Sequence, residues 1–120
     1  MKELVIALII GHFLLDWILQ PRKMAKQKSS DFKTLLAHLA INFIGLLLIT
    51  WAFSGISLPT LLLLNLINII THGIIDWNIW TLAKNIMSRY QDEVKREYIF
   101  YSIIAIDQSL HLTILMLLFL

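Results

Sequence analysis

The chain has 120 residues, 58% of them hydrophobic and 15% charged, with ten Lys and Arg against eight Asp and Glu. That length supports one domain, residues 1–120, and the apolar excess lies well outside ordinary soluble usage. There is no cysteine, which excludes disulfides and thiolate metal sites, and a net charge of +2 gives no reason to expect a nucleic-acid partner.

Four apolar stretches follow one another, over about 4–20, 34–53, 58–82 and 98–120. Each approaches the ~20 residues that a helix needs to cross a bilayer, the first being short. A spanning segment must satisfy its own backbone groups, so helices are expected. The expected fold is an all-α membrane protein, a four-transmembrane-helix bundle with an interior polar site.

The first stretch is a poor signal peptide. Its basic region is Lys2 beside Glu3, its centre carries His12 and Asp16, and Gln20-Pro21-Arg22-Lys23 follows where a small-residue cleavage site would be needed. It is expected to be retained, with Pro21 ending it. Ser29-Ser30-Asp31 offers N-caps for the second helix. Ser54-Gly55-Ile56-Ser57 predicts a tight turn, with Pro59 tolerated in the first turn of helix three. From Thr81 to Tyr98 no Gly or Pro occurs, and Leu82, Ile86, Tyr90, Val94 and Tyr98 recur every fourth residue. That spacing predicts a helical extension lying along the membrane.

Nine of the ten basic residues fall in two connections, 21–33 and 83–97, and none in Ser54–Ser57. The positive-inside rule puts both basic loops in the cytoplasm and both termini outside, as for a multi-pass protein of the bacterial inner membrane. Trp17, Trp77 and Trp80 gather towards the cytoplasmic interface and Trp51 towards the other, as an aromatic belt. The segment 22–33 is expected to touch anionic lipid headgroups.

Every histidine lies in a predicted span, one per span, and three form pairs with an aspartate four residues away: His12/Asp16, His72/Asp76 and Asp107/His111. Residues four apart share a helix face, so each pair presents both side chains to one point. Gln20 continues the first row, Asn42 follows His38 by one turn, Asn65 and Asn68 precede His72, and Gln108 adjoins Asp107. Gly11 and Gly73 beside the histidines would permit close helix approach. Gly11–Trp17 and His72–Trp77 also echo each other as His-x3-Asp-Trp, a weak sign of a duplicated hairpin.

The spans hold three aspartates and no Lys or Arg. Each unpaired charge at depth costs about 2.5–3.5 kcal/mol. Protons, histidinium ions or a bound cation must therefore neutralise them. Imidazole with carboxylate suits a divalent metal, zinc first, with manganese or iron(II) as alternatives. His12, Asp16, His38, His72, Asp76, Asp107 and His111 are the candidate ligands, with Gln20, Asn42, Asn68 and Gln108 orienting them. His38 is the outlier, having no carboxylate one turn away. Competing readings are a proton or ion path and polar packing between helices.

His12-x3-Asp16-x3-Gln20, His38, His72-x3-Asp76 and Asp107-Gln108-x2-His111 together resemble a bacterial family of small membrane proteins called domain of unknown function 3307, over essentially the full chain. More distantly, the His-x3-Asp pairs are similar to those of membrane-bound proteins described as metal-dependent hydrolases. That label echoes soluble all-helical zinc phosphodiesterases, which also use an N-terminal tryptophan as a ligand. Here the chain starts Met1-Lys2, so that part of the pattern is missing. The likeness implies metal binding more than any substrate.

These readings lead to one expectation: a divalent-metal site near the cytoplasmic side, suited to hydrolysis of a phosphoester or related bond in a lipid-like substrate. Asp16, Asp76 and Asp107 are the candidate catalytic residues, one of them as general base. The alternatives are a proton- or metal-ion transporter and a non-catalytic assembly partner, with homo-oligomers left open.

Overall fold

The computed structural model describes all 120 residues, and every regular element is helical. Helix α1 runs Lys2–Phe13 and continues through a π-helical segment, Leu14–Ile18; α2 is Arg22–Gln27, α3 Phe32–Ser54, α4 Leu58–Met87 and α5 Glu93–Phe119. At 1.5 Å per residue the last three are roughly 35–45 Å long. They are long and apolar enough to cross a bilayer.

The first stretch differs from the expected span over 4–20. Its α-helix has 12 residues and its π segment 5, short of the ~30 Å hydrocarbon thickness. The cause is local. Leu19 N–H donates to Leu14 O at 2.8 Å, a bond five residues back, and Pro21 then opens α2 in extended geometry. Such π turns cost regular geometry and often mark functional positions. Asp16 lies within this one.

The helical extension expected over Thr81–Tyr98 is formed in two pieces rather than one. α4 ends at Met87, residues 88–92 form a turn, and α5 starts anew at Glu93. The Asp92 carboxylate accepts from Val94 N–H at 3.0 Å, capping donors that an uninterrupted helix would have spent on its own carbonyls. Asp31 does the same for α3, accepting from Lys33 and Thr34 N–H. Gly55 ends α3 with φ 68°, the left-handed geometry that glycine adopts without a Cβ clash.

The bundle is built inside out. Of its 26 buried residues, 14 are polar or charged, whereas Ile6, Ile10, Ile44, Leu48, Leu63, Ile70 and Leu117 are exposed on its outside. In water that arrangement would be costly, because exposed apolar area is what folding normally removes. In lipid the outward leucines are solvated, and it is the polar groups that must find one another. Each long helix therefore buries a single stripe: Leu35, His38, Asn42, Leu46 and Thr50 on α3; Leu61, Asn65, Asn68, His72 and Asp76 on α4; Ile103, Asp107, His111, Leu115 and Phe119 on α5.

The stripes change character along their length. Towards the Ser54–Ser57 turn, Leu4, Leu8, Leu46, Leu61, Leu115 and Phe119 form one apolar cluster. Only Asn65 and Thr50 interrupt that end with a hydrogen bond, Asn65 Nδ2 donating to Thr50 Oγ1 at 3.1 Å. Towards α2 the same stripes carry the histidines and aspartates. α3 packs closely on α1 and its π segment: a Cβ on Gly11 would stand 2.3 Å from Ile49 Cδ1, and one on Gly45 2.4 Å from Leu15 Cδ2. A Cβ on Gly73 would stand 2.9 Å from Leu39 Cδ1.

Candidate metal centre

All four histidines and the three aspartates of the helical stripes are buried at the α2 end of the bundle. Four of their atoms, one from each of four residues, gather around one point. His38 Nε2 is 3.0 Å from Asp16 Oδ1, 3.1 Å from His72 Nε2 and 3.2 Å from Asp76 Oδ2. His72 Nε2 is in turn 3.2 Å from Asp76 Oδ2 and 3.5 Å from Asp16 Oδ1.

A single linear hydrogen bond does not account for this convergence. A ring nitrogen carries one proton or one lone pair, yet His38 Nε2 has three partners within 3.2 Å, so a proton there would be shared between the Asp16 and Asp76 carboxylates. The distances instead match the edges of a small polyhedron. Four ligands about 2.0 Å from a central ion, tetrahedrally placed, stand about 3.3 Å from one another. Asp16, His38, His72 and Asp76 form a group that could hold a metal ion. His38, with no carboxylate on its own helix nearby, is at the centre because α3 packs between α1 and α4.

The remaining residues lie alongside. His12, Asp16 and His111 make a second group with ligand atoms within 4.8 Å of one another, and Asp76, Asp107 and His111 a third. Asp16 and Asp76 belong to two groups each, as carboxylates with two oxygens can. His12 Nδ1, Asp107 Oδ1 and both ring nitrogens of His111 are buried without a hydrogen-bond partner. His111 Nδ1 and Asp107 Oδ1 are 3.9 Å apart, too far to bond. The His111 ring stacks on that of His72 with centroids 3.9 Å apart. Orphaned buried polar atoms of this kind are rare in native interiors, and a cation is one partner that satisfies those carrying a lone pair.

Polar amides hold the ligands in place. Gln108 accepts from His12 Nε2 at 3.1 Å, while its amide group donates to Asp16 Oδ2 at 2.7 Å and Asp107 Oδ2 at 3.2 Å. Gln20 meets His38 Nδ1 at 3.2 Å. It is the Gln20 amide nitrogen, Nε2, that faces Nδ1; turning this amide over, so that its oxygen faces the ring, would give Nδ1 the proton and leave the His38 Nε2 lone pair to the centre. Asn42 donates to the His38 carbonyl at 3.2 Å. Asn68 is buried, but no hydrogen bond joins its side chain to any of these residues.

One participant comes from outside the helical stripes. Lys28, in the segment between α2 and α3, is buried, and its ammonium lies 2.9 Å from Asp76 Oδ1 and 3.6 Å from Asp16 Oδ1. The expectation that all of 22–33 faces lipid headgroups is corrected at Lys28 and Ser29, which are both buried. Lys28 thus adds a cation, supplied by a connection, to the protons, histidinium ions and bound cation that were the expected sources of neutralisation. Burial works against the ammonium, but Asp16 and Asp76 outweigh it and raise the Lys28 pKa above its ordinary value. Three carboxylates against one ammonium leave two negative charges with the imidazoles neutral, the charge that one divalent ion balances. No spacing rule points to Lys28, since it is the loop's path that folds it inward. Lys84 of α4 holds that path, donating to Ser29 Oγ at 2.7 Å.

Neither a curated protein nor a solved structure matches this chain. A family model described as "Protein of unknown function (DUF3307)" matches residues 4–120. With its intramembrane-length helices and a buried His/Asp cluster that could bind metal, the chain belongs to that family.

Proposed function

We propose that this is an integral membrane protein that binds a divalent cation, zinc in the first place, through His38, His72, Asp16 and Asp76. The observation that carries the reading is the set of five separations of 3.0–3.5 Å among their ligand atoms. It is the spacing expected among four ligands about 2.0 Å from one ion, and it crowds more partners around His38 Nε2 than one proton serves with a linear bond. His12, Asp107 and His111 extend the centre towards a second ion, and Gln20, Asn42 and Gln108 orient its ligands. α1 with its π segment acts as a fourth, short crossing of a single domain. Both basic connections then lie in the cytoplasm and both termini outside, in the inner membrane of a bacterium.

The chemistry that fits such a centre is hydrolysis of a phosphoester in a lipid-like molecule. A divalent ion held by Asp16, His38, His72 and Asp76 would bring the pKa of water close to neutrality and would polarise a phosphoryl oxygen. Asp107, with one carboxylate oxygen free of hydrogen bonds, takes the proton from water as the water oxygen attacks phosphorus. The ester P–O bond breaks and the same proton passes to the departing alcohol. A transit path for ions is the weaker reading, because the leucine cluster fills the far half of the bundle.

Elemental analysis of protein purified without chelator tests the proposal. Near-integer metal per chain is expected, lost in His72→Ala and in His38→Ala. A metal-free preparation that remains folded would end it. With metal in place, release of phosphate or alcohol from phosphoester lipids, abolished by Asp107→Asn with the ion at Asp16, His38, His72 and Asp76 retained, would establish the reaction.

A further inference from the structure

A cavity of about 750 Å³ opens beside the centre, between the π segment of α1, helix α2, the end of α4 and the start of α5. Its floor includes Asp16, Asp107 and Gln108, so it reaches the His/Asp cluster directly. Its chemistry changes with height. Arg22, Lys26, Lys28 and Lys84 supply four cations on the α2 side. Trp17, Trp80, Phe100, Tyr101 and Ile104 supply an apolar wall. Trp80 adds an indole N–H that is buried without an acceptor.

The cavity coincides with a weakness in the helix ring. α3 packs closely on both α1 and α4, and α4 on α5, but α1 and α5 meet only sparsely. At that seam Trp17 and Tyr101 are well exposed, 54% and 65%. The apolar wall is therefore continuous with the outer, lipid-facing surface of the bundle. A volume of this size suits a ligand of drug-like dimensions. It holds a headgroup and the first few methylenes, but not two full acyl chains.

We propose that this cleft binds the head of one phosphate-bearing amphiphile, which enters sideways through the seam between α1 and α5. Arg22, Lys26 and Lys84 hold the phosphate, as cations and forked donors hold anions elsewhere. Lys28 spans the step between that phosphate and the carboxylates of Asp16 and Asp76. The chains run out along Trp17 and Tyr101 into the bilayer. The proposal deepens the metal-centre reading, on which it rests only for which end of the ligand faces the cluster. Charge and apolarity together favour a lipid-phase ligand over a soluble anion, which would gain nothing from the aromatic wall.

The full chain in zwitterionic detergent is mixed with equal amounts of phosphatidic acid and phosphatidylcholine of one chain length. Retained lipid is counted by native mass spectrometry. One phosphatidic acid per chain is expected, in preference to phosphatidylcholine. The double variant Arg22→Gln/Lys26→Gln should lower that preference about tenfold, each basic group near an anionic lipid contributing a severalfold factor. Neither side chain makes a hydrogen bond or ion pair with the rest of the chain, so folding is not at stake. Lys95→Gln/Arg96→Gln, equal in charge but outside the cleft, should leave it unchanged. Equal retention of both lipids, or an equal fall in both double variants, would overturn the site. Displacement of the lipid by millimolar inorganic phosphate would overturn its amphiphile half. Metal is measured on the same samples: a metal-free chain that still selects phosphatidic acid sinks the metal-centre reading and not this one, and a metal-loaded one that does not sinks only this one.

Discussion

Lys28→Met replaces a buried ammonium with an unbranched apolar side chain of similar length, and its two consequences have opposite signs. The ammonium is 2.9 Å from Asp76 Oδ1 and 3.6 Å from Asp16 Oδ1. At an effective dielectric of ~20 these contacts are worth roughly 6 and 5 kcal/mol of attraction. Desolvation of the ammonium takes back several kcal/mol, and removing one member of such a buried cluster costs about 3–5 kcal/mol in net stability. In chelator, therefore, the variant should melt well below the parent protein in the same detergent. With zinc the balance reverses. A cation that repelled the ion is gone, and affinity should rise by about tenfold or more, since 1.4 kcal/mol suffices for each factor of ten. Thermal unfolding with and without zinc, together with competition against a chelating dye, reads both effects. A variant as stable as the parent in chelator would refute the ion-pair reasoning, and a fall in zinc affinity would refute the placement of the ion. The sign with pH follows from the raised Lys28 pKa. Its contribution is fully present below the ordinary lysine value of ~10.4 and is lost only as pH climbs through the higher folded value. Stability near neutral pH should owe no pH dependence to this group.

Three further outcomes can be measured. Gly45→Ala puts a Cβ 2.4–3.0 Å from three atoms of Leu15, so overpacking of about 1–3 kcal/mol should exceed the gain in helix propensity and lower the melting temperature. A neutral or stabilising result would show that α1 and α3 are less firmly seated than their contact suggests. Asn65→Leu breaks the Thr50 bond in the apolar half and should cost roughly 0.6–1.7 kcal/mol while leaving metal content unchanged. Loss of metal would mean that the two ends of the bundle are coupled. The chain has no cysteine, so Lys26→Cys and Ser57→Cys each give a single label, and in intact cells an impermeant thiol reagent should modify only the second. Modification of the first instead would invert the orientation.

Much of the architecture is legible in the residues because hydrocarbon leaves a chain few options. Three of the apolar stretches became helices of membrane length, and the family follows from the order of the His and Asp motifs. The breaks were harder to read. Nothing in Leu14–Ile18 advertises a π turn, since the bond from Leu19 to Leu14 is a choice between two carbonyls one residue apart. The stop at Met87 was hidden by a four-residue apolar period that runs through Tyr98, and Asp92 overrode it with a cap. Gly11 and Gly73, beside histidines, were legible as close approaches and are, but Gly45 was not. What makes Gly45 tight is Leu15 on another helix, a neighbour the local sequence does not name.

Periodicity alone determined that His12, Asp16, His72, Asp76, Asp107 and His111 lie on single faces of their helices, because 3.6 residues per turn puts every fourth side chain in one row. It could not determine which rows meet, nor that His38 would stand between two carboxylates from other helices. Tertiary structure decided that, and it turned Lys28 from a lipid-facing residue into the counter-charge of Asp16 and Asp76. The physical reason is range. Helical pattern is a property of neighbours along the chain, whereas charge compensation in a low-dielectric interior is settled by whichever cation the folded path brings within a few ångströms.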